Sequence, residues 1–470
     1  MKRRLSFTSG RVIIVVDKFK KDVRMGKKVA VIGANHAGTA AIRTILGTDP
    51  SVSVTVFDAN SNISFLGCGM ALWIGNQIRG PEGLFYATKE GLEDLGAKIY
   101  MEAKAQKVDF ERHTVSVNLK DGTEITEPYD KLILATGSLP IVPDVRGKNL
   151  GNVQLVKLYQ DAGAVIEKLH DESIKKVVVI GAGYIGVELA EAFKRDGREV
   201  TVVDLAGTCL ANYYDEPFTD AMKAVLAENG IVQHYAERLL ELKGDTKVKS
   251  VLTDKGEYEA DMAVLCIGFR PNNELGKDSL KLFRNGAYIV DKRQQTSMPD
   301  VYAIGDCATV HDNASDSVNY IALASNAVRG GLVAAYNVCG LDVESIGVQG
   351  SNGICIFGYK MVSTGMSLAK ALASGYDAAC TDFEDYQKPA FIETGNEKVK
   401  IRIVYDKKGR RILGAQMASK YDISMAIHMF SLAVQEHVTI DKLKLMDIFF
   451  LPHFNQPYNY ITMAALGAKD

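Results

Sequence analysis

The sequence predicts an α/β fold of two Rossmann-like units followed by a smaller α+β C-terminal domain. A strand, glycine turn, helix, strand and acid occur twice in that order, a further strand motif is duplicated, and beyond about residue 346 the pattern turns to hairpin and helix. These changes divide the 470 residues into an N-terminal extension (1–25), a first unit (26–145, completed by 270–345), a second unit (146–269) and a C-terminal domain (346–470).

In the first unit the apolar strand Val29 to Ile32 runs into Gly33-Ala34-Asn35-His36-Ala37-Gly38. A helix carrying Ala and Ile follows, and the alternating strand Val52, Val54, Val56 ends at Asp58. The second unit repeats this order. Val177 to Ile180 runs into Gly181-Ala182-Gly183-Tyr184-Ile185-Gly186, a helix presents Leu189, Ala190 and Phe193 on one face, and the next strand ends at Asp204. Glycines let such a turn close and let N–H groups at the helix N-terminus approach a pyrophosphate; the acid, about 20 residues on, accepts hydrogen bonds from an adenosine ribose. One glycine turn is weak evidence, whereas two complete units predict two dinucleotide sites. The first turn departs from the pattern, because Asn35 and His36 stand where a second glycine is usual. The charge of Asp204 opposes a 2′-phosphate, and the Leu205-Ala206-Gly207-Thr208 stretch after it has no Arg or Lys to hold one. NADH is therefore favoured over NADPH.

Tyr129 to Gly137, ending in Ala135-Thr136-Gly137, matches Ala260 to Gly268. Each is an apolar strand with an acid before it and a glycine after it, suited to return the chain to its sheet after an excursion. Gly268 opens a turn, Gly-Phe-Arg-Pro-Asn. A short strand, Val301 to Ile304, ends in Gly305-Asp306, and an acid past a strand's carboxyl end sits where open α/β sheets bind ligands. Taken alone, Asp306 reads better as a helix cap.

Together these motifs resemble the pyridine nucleotide–disulfide oxidoreductases, in family order, from Lys28 to the C-terminus. The resemblance implies two Rossmann-like dinucleotide-binding domains plus an α+β C-terminal dimerisation domain. It implies FAD in the first unit, held by Gly33, Asn35, His36, Ala37, Gly38, Asp58, Ala135, Thr136, Gly137 and Asp306. It implies NADH in the second, held by Gly181, Gly183, Tyr184, Ile185, Gly186, Glu188, Asp204 and Gly268. The C-terminal domain then builds a homodimer or homotetramer.

Cys68 lies in Ser64-Phe65-Leu66-Gly67-Cys68-Gly69-Met70, and helical spacing resumes after it. That predicts a thiol near a helix N-terminus, where the dipole favours thiolate, with a glycine on each side to keep the sulfur approachable. The other six cysteines read as small buried hydrophobes. A dithiol relay would need a second cysteine where Trp73 stands, and no His-Pro-Thr…Glu pair occurs near the C-terminus. The lone cysteine is similar to the NADH oxidase and NADH peroxidase branch, which implies a sulfur that cycles between thiolate and sulfenic acid. In that branch His36 lies near the sulfur and helps protonate departing oxygen, although a histidine in a turn is as readily a capping or packing residue. The resemblance implies that Tyr184 shields the flavin until nicotinamide displaces it, and Glu188, one helical turn on, is placed to orient the nicotinamide. The implied activity is reduction of O2 to water by two NADH, by way of peroxide. NADH peroxidase, coenzyme A-disulfide reductase and a non-catalytic flavoprotein redox sensor are the alternatives.

In the C-terminal domain Val399 to Tyr405 alternates, Asp406-Lys407-Lys408-Gly409 turns, and Arg411 to Met417 returns, a hairpin; a helix follows over Ile423 to Gln435. The aromatic run Phe449 to Tyr460 needs cover, either from a partner subunit or from within the chain. The resemblance implies that His453 or Phe454 lies near the partner subunit's Cys68.

Composition narrows the setting. With 55 basic and 57 acidic residues the net charge is −2, which leaves no electrostatic footprint for nucleic acid or an anionic membrane. No apolar run is long enough to span a bilayer. Lys2, Arg3 and Arg4 precede Val12 to Val16, but that patch is too short for a secretory signal, so the residues before Met25 read as a basic extension without function, or as the product of a start codon assigned too far upstream. Seven cysteines, an odd number with no C-x-x-C pair, argue against a zinc site or a disulfide scaffold and for the reducing cytoplasm. The expected partners are small molecules: NADH, and O2 or peroxide.

Overall fold

The computed structural model describes residues 26–469, so the expected N-terminal extension lies outside the described residues. The first five-stranded sheet is parallel throughout. It runs, edge to edge, Val301–Ala303, Lys131–Leu134, Lys28–Ile32, Ser53–Phe57 and Ala97–Tyr100. The second has the same layout: Val153–Leu155, Met262–Leu265, Lys176–Ile180, Glu199–Asp204 and Val232–Tyr235. The duplicated strand motif thus fills the same slot in both sheets.

The sheets differ in where their edge strand comes from. The first takes Val301–Ala303 from far downstream, and the second takes Val153–Leu155 from just upstream. The chain therefore crosses from one unit to the other twice. The two crossing segments, Ser138–Pro140 and Phe269–Pro271, pair antiparallel. Between its third and fourth motif strands each unit also makes a three-stranded antiparallel excursion, spanning Lys104–Pro128 in one and Leu239–Glu259 in the other.

Central strands such as Lys28–Ile32 and Lys176–Ile180 read as unbroken apolar runs because a parallel sheet is covered on both faces. Helix His36–Thr48 covers the first sheet with Ala41, Ile42 and Ile45, and packs on helix Ala324–Val338. Gly331 permits that approach, since a Cβ there would stand 2.5 Å from the Ala37 carbonyl oxygen. Helix Tyr184–Arg195 serves the second sheet with Val187, Leu189 and Phe193.

The C-terminal sheet is antiparallel, in the order Asn352–Ile356, Tyr359–Gly365, Ile412–Ser419, Lys398–Asp406, Ala378–Tyr386. The expected hairpin is its centre, and the expected helix is Ser424–Gln435. Of the aromatic tail, Tyr460 is buried in the core of the C-terminal domain, whereas Phe449, Phe454 and Tyr458 are 65%, 53% and 76% exposed among the described residues. Among the described residues no helix is long and apolar enough to cross a membrane.

Candidate active site

One continuous cleft of about 1810 Å³ reaches both glycine turns and the edge of the C-terminal sheet. The predicted site residues all line it except Gly38 and Gly186. Those two act differently from the expectation. A Cβ on Gly38 would stand 1.9 Å from the Gly33 carbonyl oxygen, and one on Gly186 would stand 1.8 Å from that of Gly181. They let each helix close onto its turn and do not face a ligand.

Gly33 and Gly181 hold φ of +100° and +106°, and a Cβ on either would meet a carbonyl oxygen of the neighbouring strand motif, Ala135 or Cys266, at 2.3 Å. The departure at Asn35 carries no backbone penalty. Its φ is −81° and that of Gly183 is −73°, both extended, so neither position requires glycine. Neither residue makes a side-chain cap, which leaves first-turn N–H groups for an anion.

The two acids are also equivalent. Asp58 accepts hydrogen bonds from the N–H groups of Ala34 at 2.6 Å and Asn60 at 2.7 Å. Asp204 accepts from Ala182 and, at 2.6 Å, from Ala206. Each acid thus braces its own glycine turn and still has lone pairs for a ribose. Burial pushes the Asp58 carboxyl up, while the N–H groups of Asn60 and Ala34 oppose it. Arg238 lines the same cleft as Asp204, a cation that the stretch directly after Asp204 did not reveal.

The Ala135-Thr136-Gly137 and Gly268 turns lock together. Thr136 Oγ1 donates to the Asn272 carbonyl at 2.6 Å, and the Asn272 N–H donates to the Gly137 carbonyl at 2.9 Å. Asp306 sits in the turn Gly305–Cys307, where its carboxylate accepts from Ser138 Oγ at 2.8 Å. Lys157 Nζ donates to that same Ser138 at 2.8 Å and lies 4.0 Å from Asp306. Burial pushes the Lys157 ammonium down, against the charges of Asp306 and Asp161. Lys157 is a cleft residue the sequence did not announce, because only the fold brings positions 138, 157 and 306 together.

Cys68 is exposed within the 3₁₀ turn Gly67–Gly69, and the α-helix beyond it is only Met70–Ile74. The expected dipole-lowered thiol is not found. So short a helix carries little dipole, burial pushes the thiol up, and the charges of Glu188 and Asp306 push the same way, with only its own N–H opposing. A Cβ on Gly69 would meet Leu84 Cδ2 at 2.2 Å, so that side chain would have to shift, while Gly67 is open. Trp73 stacks on Tyr159 with ring centroids 5.5 Å apart.

Ser64, buried at φ +58°, accepts on Oγ from the N–H groups of Tyr86 at 3.1 Å and Ala87 at 2.8 Å, and donates to the Ala87 carbonyl at 2.7 Å. It thereby ties the cysteine loop to the segment that carries Tyr86. The Tyr86 hydroxyl in turn meets His36, a partner that sequence reasoning missed across 50 residues. Burial pushes the His36 imidazole down, with Asp306 opposing.

Tyr184 bonds through its hydroxyl to Tyr214 at 2.8 Å and to Asn352, and its ring meets that of Tyr213 edge-on at 4.5 Å. Glu188 is pushed up to about 7 by burial and by the nearby Glu191. Among the described residues no cluster of His, Cys, Asp and Glu is suited to a metal ion.

The family model for pyridine nucleotide-disulphide oxidoreductases matches residues 27–331, and that for their dimerisation domain matches residues 352–459. The chain is 60% identical over 455 residues to a NADH oxidase of Streptococcus pyogenes, covering 94% of this chain and 100% of that one. It is 56% identical over 457 residues to a NADH oxidase of Streptococcus pneumoniae, covering 94% and 99%. The solved structure of a water-forming NADH oxidase from Lactobacillus brevis bound to NADH matches with a TM-score of 0.91 at 39% identity, covering 94% of this chain and 98% of that one.

Proposed function

The chain belongs to the pyridine nucleotide-disulphide oxidoreductases, and on that premise we propose that it is an FAD-dependent NADH oxidase that reduces O2 to water with two NADH. The observation that carries the reading is an exposed cysteine, Cys68, in a cleft shared by two dinucleotide-type turns, with Trp73 where a dithiol partner would stand.

FAD fits the first unit. The uncapped N–H groups after Asn35 suit its pyrophosphate, Asp58 its adenosine ribose, and Thr136, Gly137 and Asp306 the remainder. NADH fits the second, with the uncapped turn at Gly183, the ribose on Asp204, and Glu188 beside the nicotinamide amide. When bound, FAD accepts hydride from NADH and passes the electrons to an acceptor.

The chain's own residues then handle the oxygen. Loss of solvation, with the charges of Glu188 and Asp306, holds the Cys68 thiol high, so its proton passes to a base, and in this reading His36, which lines the same cleft, is that base. The electron pair of the first NADH, with two protons, takes O2 to hydrogen peroxide; the thiolate attacks one oxygen of that peroxide, the O–O bond breaks, and a sulfenic acid remains. The departing hydroxide takes the proton from His36 and leaves as water. A second NADH supplies the electron pair that returns the sulfenic acid to thiolate, with release of a second water.

In this reading residues 26–145 with 270–345 hold FAD, residues 146–269 hold NADH, and residues 346–470 build a homodimer or homotetramer in the cytoplasm. The exposed apolar tail supports the last assignment. The test is stoichiometry on purified, FAD-loaded protein: two NADH consumed per O2 with no free peroxide is expected. NADH loss only on adding peroxide, or only on adding a coenzyme A disulfide, moves the assignment to NADH peroxidase or to the disulfide reductase. Slow turnover with every acceptor favours the redox sensor.

A further inference from the structure

Tyr184 belongs to the second unit, yet what holds its hydroxyl comes from the C-terminal domain. Asn352, the first residue of strand Asn352–Ile356, accepts the Tyr184 hydrogen bond on Oδ1. That oxygen also accepts from Ser363 Oγ at 3.1 Å, and Nδ2 donates to the Gly350 carbonyl at 2.7 Å, so the amide is oriented by its own domain. The other partner of Tyr184 is Tyr214, and the next residue, Asp215, is anchored to the same domain. Its buried carboxylate accepts from the N–H groups of Leu368 at 2.9 Å and Ala369 at 3.1 Å and from Gln416 Nε2 at 2.6 Å, with Arg402 at 3.4 Å. The Asp215 N–H donates back to Gln416 Oε1 at 2.8 Å. Both hydroxyl partners of Tyr184 are thus pinned by the C-terminal domain.

Tyr184 opens the helix after the second glycine turn and lines the cleft. The charge of Glu188 is felt by both Tyr184 and Cys68, so the three surround one stretch of it. Asp204, Tyr184 and Cys68 line the same cleft, so on the reading above a dinucleotide anchored at Asp204 meets the Tyr184 ring. We propose that Asn352 is a positioning residue for that step: a latch, set in the C-terminal domain, that must release the Tyr184 hydroxyl before the nicotinamide seats. The inference rests on the assignment of NADH to the second unit. Binding then includes the opening of the latch, and the observed affinity is the intrinsic one scaled by the unlatched fraction. One hydrogen bond between neutral groups is worth about threefold to tenfold in that fraction.

The test compares Asn352→Ala, Asn352→Asp, Tyr184→Phe and the Asn352→Ala, Tyr184→Phe double variant, all FAD-loaded, with flavin content and melting midpoint reporting on folding. Two quantities are read: the Kd of NAD+ by calorimetry, and the anaerobic reduction of the flavin at increasing NADH. Asn352→Ala is expected to tighten NAD+ and lower half-saturating NADH by about threefold to tenfold, the change falling on half-saturation rather than on the limiting rate. Asn352→Asp, whose carboxylate still accepts from Tyr184, is expected not to tighten binding. In the Tyr184→Phe background Asn352→Ala is expected to add nothing. The latch is overturned by an unchanged or weakened Kd in Asn352→Ala, by tightening in Asn352→Asp, or by an equal shift in both backgrounds. A flavin that NADH does not reduce in the unaltered protein overturns the functional reading itself.

Discussion

The hydroxyl of Tyr86 lies 3.0 Å from Nδ1 of His36, and the two rings stack 2° from parallel with centroids 5.7 Å apart. With Nδ1–H donating to the hydroxyl oxygen, Nε2 keeps its lone pair free to take a proton, as a base toward Cys68 requires. Tyr86→Phe keeps the stack and removes that control. In the water-forming reaction it is expected to slow turnover by about fivefold, the worth of one hydrogen bond, and to move the acid limb of the pH–rate profile. Peroxide release should rise in parallel at unchanged flavin content. An unmoved pH profile would leave Tyr86 with a packing role alone.

Gly38 and Gly186 separate the two dinucleotide units by experiment. In each case a Cβ would collide with the carbonyl of the turn's first glycine, at 1.9 Å and 1.8 Å, forcing the helix off its turn. Gly38→Ala is expected to yield protein that loses its flavin. Gly186→Ala should keep the flavin and raise half-saturating NADH by about tenfold or more, since the lost contacts are charge-assisted. Flavin absorbance per chain and NADH titration read both. Loss of flavin from Gly186→Ala would contradict the division of labour.

These paired glycines also show why so much was legible beforehand. A strand, a tight turn, a helix and an acid are local in sequence, and duplication tests each against the other. The equivalence of Ala135 and Cys266 against the two turns is the same signal carried into three dimensions. What stayed hidden is what the fold assembles from afar: Tyr86 on His36, Lys157 and Ser138 on Asp306, Asn352 on Tyr184. The antiparallel excursions were hidden for another reason. Lys104–Asp109 is mostly polar and exposed, and the alternation of its partner Thr114–Asn118 spans only two buried residues, Val115 and Val117. The Cys68 thiol was misjudged because spacing suggested a helix without revealing that it stops at Ile74.

Cys68→Ser removes the sulfur while leaving both nucleotide turns intact. The variant is expected to consume NADH and O2 still, but in a ratio approaching one to one, with peroxide accumulating to match. Oxygen-electrode traces with and without catalase measure it. Water formation at the unaltered two-to-one ratio would take Cys68 out of the mechanism.

Glu188 predicts a particular pH dependence of stability. Its carboxyl sits at about 7 in the folded protein against an ordinary value of 4.5. Between those values the folded state keeps a proton that the unfolded state has lost. Stability therefore falls as pH rises through that window and stays lowered above about 7. Glu188→Gln removes this penalty. It should match the unaltered protein at roughly pH 4 and exceed it at roughly pH 8, by about 3 kcal/mol at most. Urea denaturation at both values decides, and an equal gap at both would assign the effect to something other than this proton.

The aromatic tail presents Phe449, Phe450, Phe454 and Tyr458 outward while its backbone is held. Gln387 Nε2 donates to the Phe454 carbonyl at 2.7 Å, Gln456 Nε2 to that of Tyr386 at 2.7 Å, and Asn455 Nδ2 to that of Phe449 at 2.7 Å. A surface already shaped in the single chain loses less conformational entropy on association, which favours its use as an interface over collapse within the chain. Replacing Phe449 and Phe450 together by Asp puts two charges into that face. The expected result, by light scattering at micromolar concentration, is a fall in mass toward one chain of 51.2 kDa with flavin retained. A mass that stays at two or four chains would mean that the subunits meet elsewhere. The exposed Phe and Leu side chains of the tail would then need a different occupant.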